Sequence, residues 1–307
     1  MNLSSLVKES ATVQGEVFIK AVEKTINLLY SQSGKVGYLN IMESLVQLEP
    51  SGEALIIGDL HGDLESLIHI LSSSGFTQKM ERRDDAFLIF LGDYGDRGLH
   101  SAEVYYLILK LKLAFPRQIV LLRGNHEGPE NLMASPHDLP VNFQVRFREN
   151  WALAYSKVRK LFSLLYNAVF VEKRYLMIHG GLSPNIRSIQ DLAHTNMKYP
   201  KKEFLEDLLW SDPDDSIQNV LSSPRGAGRL FGKSVTEKVL RKLNVKILIR
   251  GHEPSFEGFK LNHEGRILTL FSRKGPPYFN TYGAYLQLPL SQEFQNTQQL
   301  LPWIHRF

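Results

Sequence analysis

Five short apolar runs, each followed at once by Asp, Asn or His beside glycine, constrain this chain more than any other feature. The runs occupy residues 54–57, 86–91, 119–122, 176–178 and 247–249, and they lead into GDLHGD, GDYGDRG, RGNHE, HGG and RGH. Their shortness and their content of Ile, Leu and Phe favour buried strands over helices. Because ligands of open α/β sheets bind beyond the carboxyl ends of strands, we expect these polar residues to line one crevice.

Amphipathic stretches at residues 64–71 and 104–114 separate the first three runs, which indicates strands joined by crossover helices. Residues 168–178 predict a strand, a turn and a second strand. Strand-like segments also lie on both sides of Gly265. The sequence therefore predicts an α/β fold.

The first fifty residues predict a helical N-terminal extension. Apolar residues between Val17 and Leu29 recur at helical spacing, and a second short helix is predicted over residues 39–48, ending at Pro50. We therefore assign residues 1–50 to this extension and residues 51–307 to the main domain, within a chain that forms a single domain overall.

The composition excludes several classes of protein. The 307 residues include no cysteine, which excludes disulfides, thiol catalysis and zinc–thiolate sites. No apolar run reaches the roughly 18 residues that a membrane helix needs, and no secretory segment begins the chain, so we expect a soluble, cytoplasmic protein without a membrane partner. A formal charge of +4 favours anionic substrates only weakly.

The residues after the five runs make a donor set of oxygen and nitrogen that suits Mn, Fe or Zn rather than calcium. Two such ions about 3.5–4 Å apart can hold a phosphate and activate a water between them. The predicted ligands are Asp59 and His61 for the first ion, Asn125, His179 and His252 for the second, and Asp93 as the bridge.

Further residues of the same segments are candidates for the reaction itself. His126 is not needed as a ligand and would protonate the leaving oxygen, with Asp96 orienting its imidazole. Arg97 and Arg225 would bind phosphate oxygens through their forked donors. The other histidines are expected at the surface or in satisfied core positions: His69, His100, His137, His194, His263 and His305.

The series GDLHGD, GDYGDRG, RGNHE and HGGL resembles the phosphoprotein phosphatases, metal-dependent serine/threonine phosphatases of the calcineurin-like metallophosphoesterase superfamily. WSDP at 210–213, RGAGRLFG at 225–232 and RGH at 250–252 continue the match in family order. The resemblance implies a metallophosphoesterase-like fold, an α+β sandwich of two packed β-sheets flanked by helices. It implies the ligands, proton donor and arginines named above, two divalent ions per chain with manganese foremost, and phosphorylated proteins as substrates.

Three departures from the family pattern matter most. Gly95 replaces a valine between Tyr94 and Asp96, and residues 128–131 (GPEN) replace a Ser-Arg continuation that contacts peptides. Residues 271–278 replace the segment that closes the site. Within them, Tyr278 is the candidate for a phenol that closes over the substrate phosphate.

The resemblance implies hydrolysis of phosphoserine and phosphothreonine, with phosphotyrosine as a further candidate substrate. A dinucleoside-tetraphosphate hydrolase, which shares the first four motifs, is the alternative, and RGAGRLFG argues against it. A nucleic-acid phosphodiesterase is a third interpretation, which the small excess charge and the lack of an aromatic and basic patch weaken. A non-catalytic module would need a missing ligand, and every ligand type is present.

Overall fold

The computed structural model describes residues 2–198 and 204–307. The described residues form eleven α-helices and sixteen β-strands. The helices are α1 (Leu3–Thr12), α2 (Gly15–Ser31), α3 (Leu64–Ser74), α4 (Phe76–Arg82), α5 (Ser101–Ala114), α6 (Leu139–Phe147), α7 (Trp151–Phe162), α8 (Ile189–Ala193), α9 (Thr195–Lys198), α10 (Phe204–Trp210) and α11 (Lys233–Leu243). The strands are β1 (Gly34–Val36), β2 (Leu39–Met42), β3 (Leu45–Leu48), β4 (Glu53–Ile57), β5 (Ala86–Phe90), β6 (Ile119–Leu121), β7 (Ala168–Val171), β8 (Tyr175–Met177), β9 (Asp212–Pro213), β10 (Val220–Ser222), β11 (Arg229–Phe231), β12 (Ile247–Arg250), β13 (Phe259–Asn262), β14 (Ile267–Leu270), β15 (Ala284–Pro289) and β16 (Ile304–Arg306).

The strands of the described residues form two large sheets and one small one. The orders are β1-β2-β3-β7-β8-β12-β14-β13, β16-β15-β4-β5-β6 and β10-β11-β9. Strands β4, β5 and β6 are parallel neighbours, so that α3 and α5 are the crossover helices that the sequence predicted. Helix α4, which follows α3, was not predicted. Strands β7 and β8 form the predicted hairpin, and β12 lies parallel to β8.

The two large sheets pack against each other, which confirms the predicted α/β sandwich. Leu55 of β4 and Met177 of β8 share one hydrophobic core. The neighbouring Leu176 belongs to a second core on the opposite face of the larger sheet, together with Leu248 and with Val239 of α11. This alternation follows from the pleat of a strand, which sends successive side chains to opposite faces. In the described part of the chain, no helix is both long and apolar enough to cross a bilayer.

Residues 34–48 show that the predicted helix over 39–48 is wrong. They form β1, β2 and β3, which are joined by two-residue turns and lie at one edge of the larger sheet. Leu39 and Ile41 are buried whereas Asn40 between them is exposed, which is the alternation of a strand. The segment is too short for this alternation to be recognised from sequence. Strand β3 then pairs in parallel with β7, so the predicted extension is helical only in α1 and α2. A domain boundary at residue 50 stays a prediction.

Helix α2 confirms the helical spacing read from Val17 to Leu29. Its buried residues lie on one face, and Phe18 at the centre of that face is fully buried. The Phe18 ring centroid lies 5.3 Å from that of Phe143 and 4.7 Å from that of Phe147, both in α6. Aromatic packing of this kind anchors the N-terminal helices to the rest of the chain.

Candidate active site

The carboxyl ends of strands from both large sheets meet at one place. The backbone N–H of His252, beyond β12, donates to Asp59 Oδ1, beyond β4, at 2.9 Å. His179 Nε2, beyond β8, lies 3.0 Å from the side-chain amide of Asn125, beyond β6. The structure therefore brings together the predicted ligands from separate strands, as the sequence led us to expect. Their role in binding metal stays a prediction.

Glycine beside these ligands is a steric requirement. A Cβ on Gly251 would lie 2.4 Å from Asp59 Oδ1, and one on Gly124 would lie 2.1 Å from Asp93 Oδ1. The backbone is also strained here, because His61, Asp93 and His252 have φ angles of 44°, 55° and 74°. Such conformations cost about 1–3 kcal/mol each and cluster at functional sites.

Backbone carbonyls fix the orientation of two of the predicted histidine ligands. His61 Nδ1 lies 3.1 Å from the carbonyl oxygen of Gly95, and His179 Nδ1 lies 2.9 Å from that of Leu91. A carbonyl oxygen can only accept, so Nδ1 carries the proton and Nε2 presents its lone pair to the cluster. Burial lowers the pKa of both imidazoles well below the ordinary value, which keeps them neutral. Neutral imidazole is the form that binds metals.

Asp93 has the geometry of a shared ligand. Its Oδ2 lies 3.5 Å from His61 Nε2, and its Oδ1 lies 3.5 Å from His179 Nε2. His61 Nε2 also lies 3.7 Å from Asp59 Oδ2. Each Asp93 oxygen thus faces a different half of the cluster, as predicted for a bridging carboxylate.

The electrostatics of the cluster fit a divalent cation. Burial raises the pKa of Asp59 to about 7, although the His252 N–H opposes this rise. Burial, followed by repulsion from Asp59, raises the pKa of Asp93 well above its ordinary value. Among the described residues, the buried atoms Asp59 Oδ2 and His252 Nε2 have no hydrogen-bond partner. A cation beside Asp59 Oδ2 would stabilise the carboxylates and use the free lone pairs of this oxygen.

His126 borders the same cluster. Its Nδ1 lies 2.6 Å from Asp96 Oδ2, the pairing that the sequence predicted. One ligand atom each of His61, Asp93 and His126 lies within 4.8 Å of the others. Because His126 Nδ1 is hydrogen-bonded to Asp96, His126 Nε2 is the nitrogen that can contact a substrate.

A cavity of about 800 Å³ opens onto the cluster and is lined by Arg97, Arg225 and Tyr278 as well as by His126. The Arg225 Nε–H donates to Asp212 Oδ2 at 2.6 Å. The Tyr278 ring stacks on the His61 ring with a centroid separation of 5.4 Å. The three predicted phosphate-binding residues therefore lie at the cavity, and their contact with phosphate stays a prediction.

Glu127 is a site residue for which we predicted no role. Its fully buried carboxylate accepts from the backbone N–H groups of Asp93, Tyr94 and Gly124 at 2.9, 3.0 and 3.1 Å, and from the Tyr105 hydroxyl at 2.8 Å. It joins the turn after β5 to the turn after β6. Its place directly after His126 in RGNHE was the available signal.

Tyr105 also explains why position 95 carries glycine instead of the valine of the family pattern. A Cβ at this position would lie 2.8 Å from a ring carbon of Tyr105. The aromatic ring thus occupies the space in which a residue 95 side chain would start. Gly95 keeps its site role through its carbonyl, which accepts from His61.

His137 lies closer to the site than the sequence indicated, because we expected only a surface or satisfied core residue. Its Nδ1 lies 2.7 Å from Asp96 Oδ2, the oxygen that also contacts His126. The Nε2 atom of His137 lies 2.9 Å from the Tyr155 hydroxyl. No glycine-flanked strand end precedes His137, so the pattern that marked the other site histidines was absent.

This site lies within residues 53–256, which match the family of calcineurin-like phosphoesterases. The chain is also 30% identical over 288 residues to a protein phosphatase 2A catalytic subunit from Dictyostelium discoideum, and the match covers 87% of this chain and 89% of the relative. The chain belongs to the serine/threonine protein phosphatases of the calcineurin-like phosphoesterase family. The resemblance found in the sequence motifs is therefore confirmed.

Two further comparisons describe how far this phosphatase resembles other members. It is 34% identical over 226 residues to the serine/threonine-protein phosphatase 6 catalytic subunit of Caenorhabditis elegans, covering 72% of this chain and 65% of that relative. A protein serine/threonine phosphatase structure from Saccharomyces cerevisiae superposes with a TM-score of 0.77 at 22% identity, covering 95% of this chain and 89% of that chain. The structural match shows the shared fold.

Proposed function

We propose that the chain hydrolyses phosphoserine and phosphothreonine monoesters in proteins. One observation carries the proposal: four side chains of metal-ligand type, an Asp-paired histidine and two arginines line a single cavity, and Asp59 and His179 lie directly behind the ligands. The names of the serine/threonine phosphatase relatives support the choice of substrate.

Manganese is the proposed metal, with iron and zinc as alternatives for the same donor set of imidazole, carboxylate and amide oxygen. The proposed ligands of the two ions are Asp59 and His61 for one, Asn125, His179 and His252 for the other, and Asp93 for both. When bound, two divalent ions activate the attacking water and stabilise the charge of the phosphoryl group.

The protein's own groups would bind and orient the phosphate. Arg97 and Arg225 line the cavity and can each present two N–H donors to phosphoryl oxygens. Burial, followed by the charge of Asp59, raises the pKa of Tyr278, so its phenol remains a neutral donor above His61. These groups would hold the phosphorus in line between the water and the serine oxygen.

His126 would supply the proton for the leaving group. As the P–O bond breaks, its electron pair passes to the serine oxygen, and the Nε2 proton of the His126 imidazolium moves to that oxygen. Asp96 accepts from Nδ1 throughout, which directs Nε2 to the substrate and stabilises the imidazolium. Neutral imidazole remains after this transfer.

The test is a hydrolysis panel on the metal-reconstituted protein, comparing a phosphoserine peptide, a phosphotyrosine peptide, a dinucleoside tetraphosphate and single-stranded DNA. We expect the phosphoserine peptide to be hydrolysed with the highest kcat/KM. Faster turnover of the dinucleotide would replace the proposal with its main alternative, and cleavage of DNA alone would indicate a nuclease. Elemental analysis of the active protein should find two metal ions per chain.

A further inference from the structure

His137 and His126 share one carboxylate oxygen. Asp96 Oδ2 lies 2.6 Å from His126 Nδ1 and 2.7 Å from His137 Nδ1. The other oxygen, Oδ1, accepts from the backbone N–H groups of Asp138 and Leu139 at 3.0 and 2.7 Å. Four donors therefore surround a carboxylate that has about four lone-pair directions.

We propose that His137 is a positioning residue for the proton donor: it fixes the Asp96 carboxylate and, through it, the ring of His126. This inference rests on the proposed function, in which His126 gives a proton to the leaving oxygen. Neither the sequence motifs nor the expected set of site residues assigned His137 such a role.

The backbone around Asp96 makes this support necessary. Asp96 and Arg97 have φ angles of 63° and 67°, so they form a strained turn. Because this turn is not part of a helix or strand, regular secondary structure does not fix the orientation of the Asp96 carboxylate. His137 and the two N–H groups beyond it come from residues 137–139, where α6 begins, so Asp96 is held by a segment about forty residues further along the chain. Burial would raise the pKa of Asp96, but its hydrogen bonds with His126 and His137 outweigh this effect, and the pKa lies below the ordinary value. Asp96 therefore remains a charged acceptor for both rings.

The far side of His137 is held as well. Its Nε2 lies 2.9 Å from the hydroxyl of Tyr155 in α7, and the His137 side chain is only 13% exposed. A tyrosine hydroxyl can donate or accept, so His137 keeps both hydrogen bonds whether it is neutral or protonated. The result is a continuous chain of contacts from Tyr155 through His137 and Asp96 to His126.

Three variants separate this role from simple packing. His137→Phe keeps a ring but removes both hydrogen bonds. His137→Asn keeps a donor near the position of Nδ1, and Tyr155→Phe removes only the outer contact. His194→Asn, outside the cavity, is the control for replacing a histidine.

The variants are compared as full-length, metal-reconstituted protein on a phosphoserine peptide and on p-nitrophenyl phosphate. His137→Phe should lower kcat on the phosphopeptide by about 10–100-fold, the range typical of losing the hydrogen-bond partner behind a functional histidine. The loss of kcat on p-nitrophenyl phosphate should be smaller, and KM should change little. His137→Asn should recover most of the activity, and Tyr155→Phe should lose less than His137→Phe. Metal content should be unchanged in all of them.

The deciding measurement is a double-mutant cycle. If His137 acts through His126, adding His137→Phe to His126→Asn should cause no further loss of kcat on the phosphopeptide. An equal loss in both backgrounds, or equal losses on both substrates, would overturn the inference. If His137→Phe does not fold, the same cycle is run with His137→Leu, which also removes both hydrogen bonds. Failure of the parent protein to hydrolyse the phosphopeptide would instead count against the proposed function.

Discussion

Two regions of the molecule bury ionisable side chains completely, and they do so in opposite ways. At the strand ends, the carboxylates of Asp59 and Asp93 repel each other, and Asp59 Oδ2 has no hydrogen-bond partner among the described residues. In the last turn of α5, the fully buried Lys112 donates its Nζ protons to the carbonyls of Pro116 and Ile119 at 2.9 and 2.8 Å. Burial of a charge thus does not by itself indicate function. Convergence of buried carboxylates that include an unpartnered oxygen does, because a bound cation would satisfy such an oxygen.

Replacing the shared carboxylate should have the largest effect. Asp93→Asn keeps the shape but removes the charge that faces both His61 and His179. We expect activity to collapse and metal content to fall. Metal affinity should decrease by more than the 10–100-fold that is typical of losing an outer partner of a ligand. Kinetics with elemental analysis checks this.

Asp59→Asn is the matched comparison, because it alters the ligand set of one ion only and should be milder. In metal-free protein, Asp93→Asn should be no less stable than the parent, since it relieves repulsion between buried carboxylates. An active wild-type protein that holds a single metal ion would contradict the two-metal site.

Loss of the proton donor should have the next largest effect. Serine alkoxide is a poor leaving group, whereas p-nitrophenolate leaves readily without a proton. His126→Asn should therefore lower kcat on phosphoserine by about 10²–10⁴-fold and on p-nitrophenyl phosphate by clearly less. Asp96→Asn should show the same pattern more weakly. Metal content should not change, and its loss would make His126 a ligand.

The phosphate-binding arginines should give a smaller effect that appears in KM. Arg225→Ala removes charge-assisted hydrogen bonds of about 1.5–3 kcal/mol, which corresponds to about a 10–100-fold rise in KM for a phosphopeptide. The fold should persist, because Asp212 keeps its contact with Arg250 at 2.8 Å. Arg225→Lys should recover only part of the loss, since lysine is a point charge. Arg97→Ala should act in the same way, and unfolding of that variant would show a structural role instead.

Lys112 should affect stability and leave activity unchanged. Burial lowers its pKa to about 7, from 10.5 in the unfolded chain. Between these values the unfolded chain binds more protons, so the free energy of unfolding should rise with pH across this window. Lys112→Met lacks the titrating amine and should lack this rise, as measured by denaturant unfolding at several pH values. Lys35→Met, which removes an exposed lysine, is the control, and parallel curves for Lys112→Met and the parent would contradict the buried amine.

The strand ends were predictable from sequence because their chemistry is local. A short apolar run followed by glycine and a ligand residue fixes both the strand and the place of its ligand, so Asp59, Asp93 and Asn125 could be placed without coordinates. Tyr278 was a candidate only through the family resemblance, although its loop departs from the family pattern. The helices that cross between β4, β5 and β6 followed from the same pattern.

The remaining features depend on contacts between segments distant in sequence. Residues 39–48 span too few repeats of the helical or the strand period to distinguish a helix from a strand by sequence. The pairing of β3 with β7 stabilises the strand conformation. His137 enters the site only because the segment before α6 folds back onto Asp96. Glu127 was visible in the motif, but its four hydrogen bonds could not be read from sequence.

Strands β3 and β4 each pair with a strand that lies much further along the chain, and this affects how the protein folds during synthesis. Strand β3, near the start, pairs with β7 after more than a hundred intervening residues, and β4 pairs with β15 close to the end. Both large sheets must therefore wait for late segments, which raises the contact order and slows folding. While residues 284–289 are still to be made, one side of β4 has no neighbour and its backbone groups are open to pairing with another chain. We expect the nascent protein to depend on chaperones until β15 takes its place.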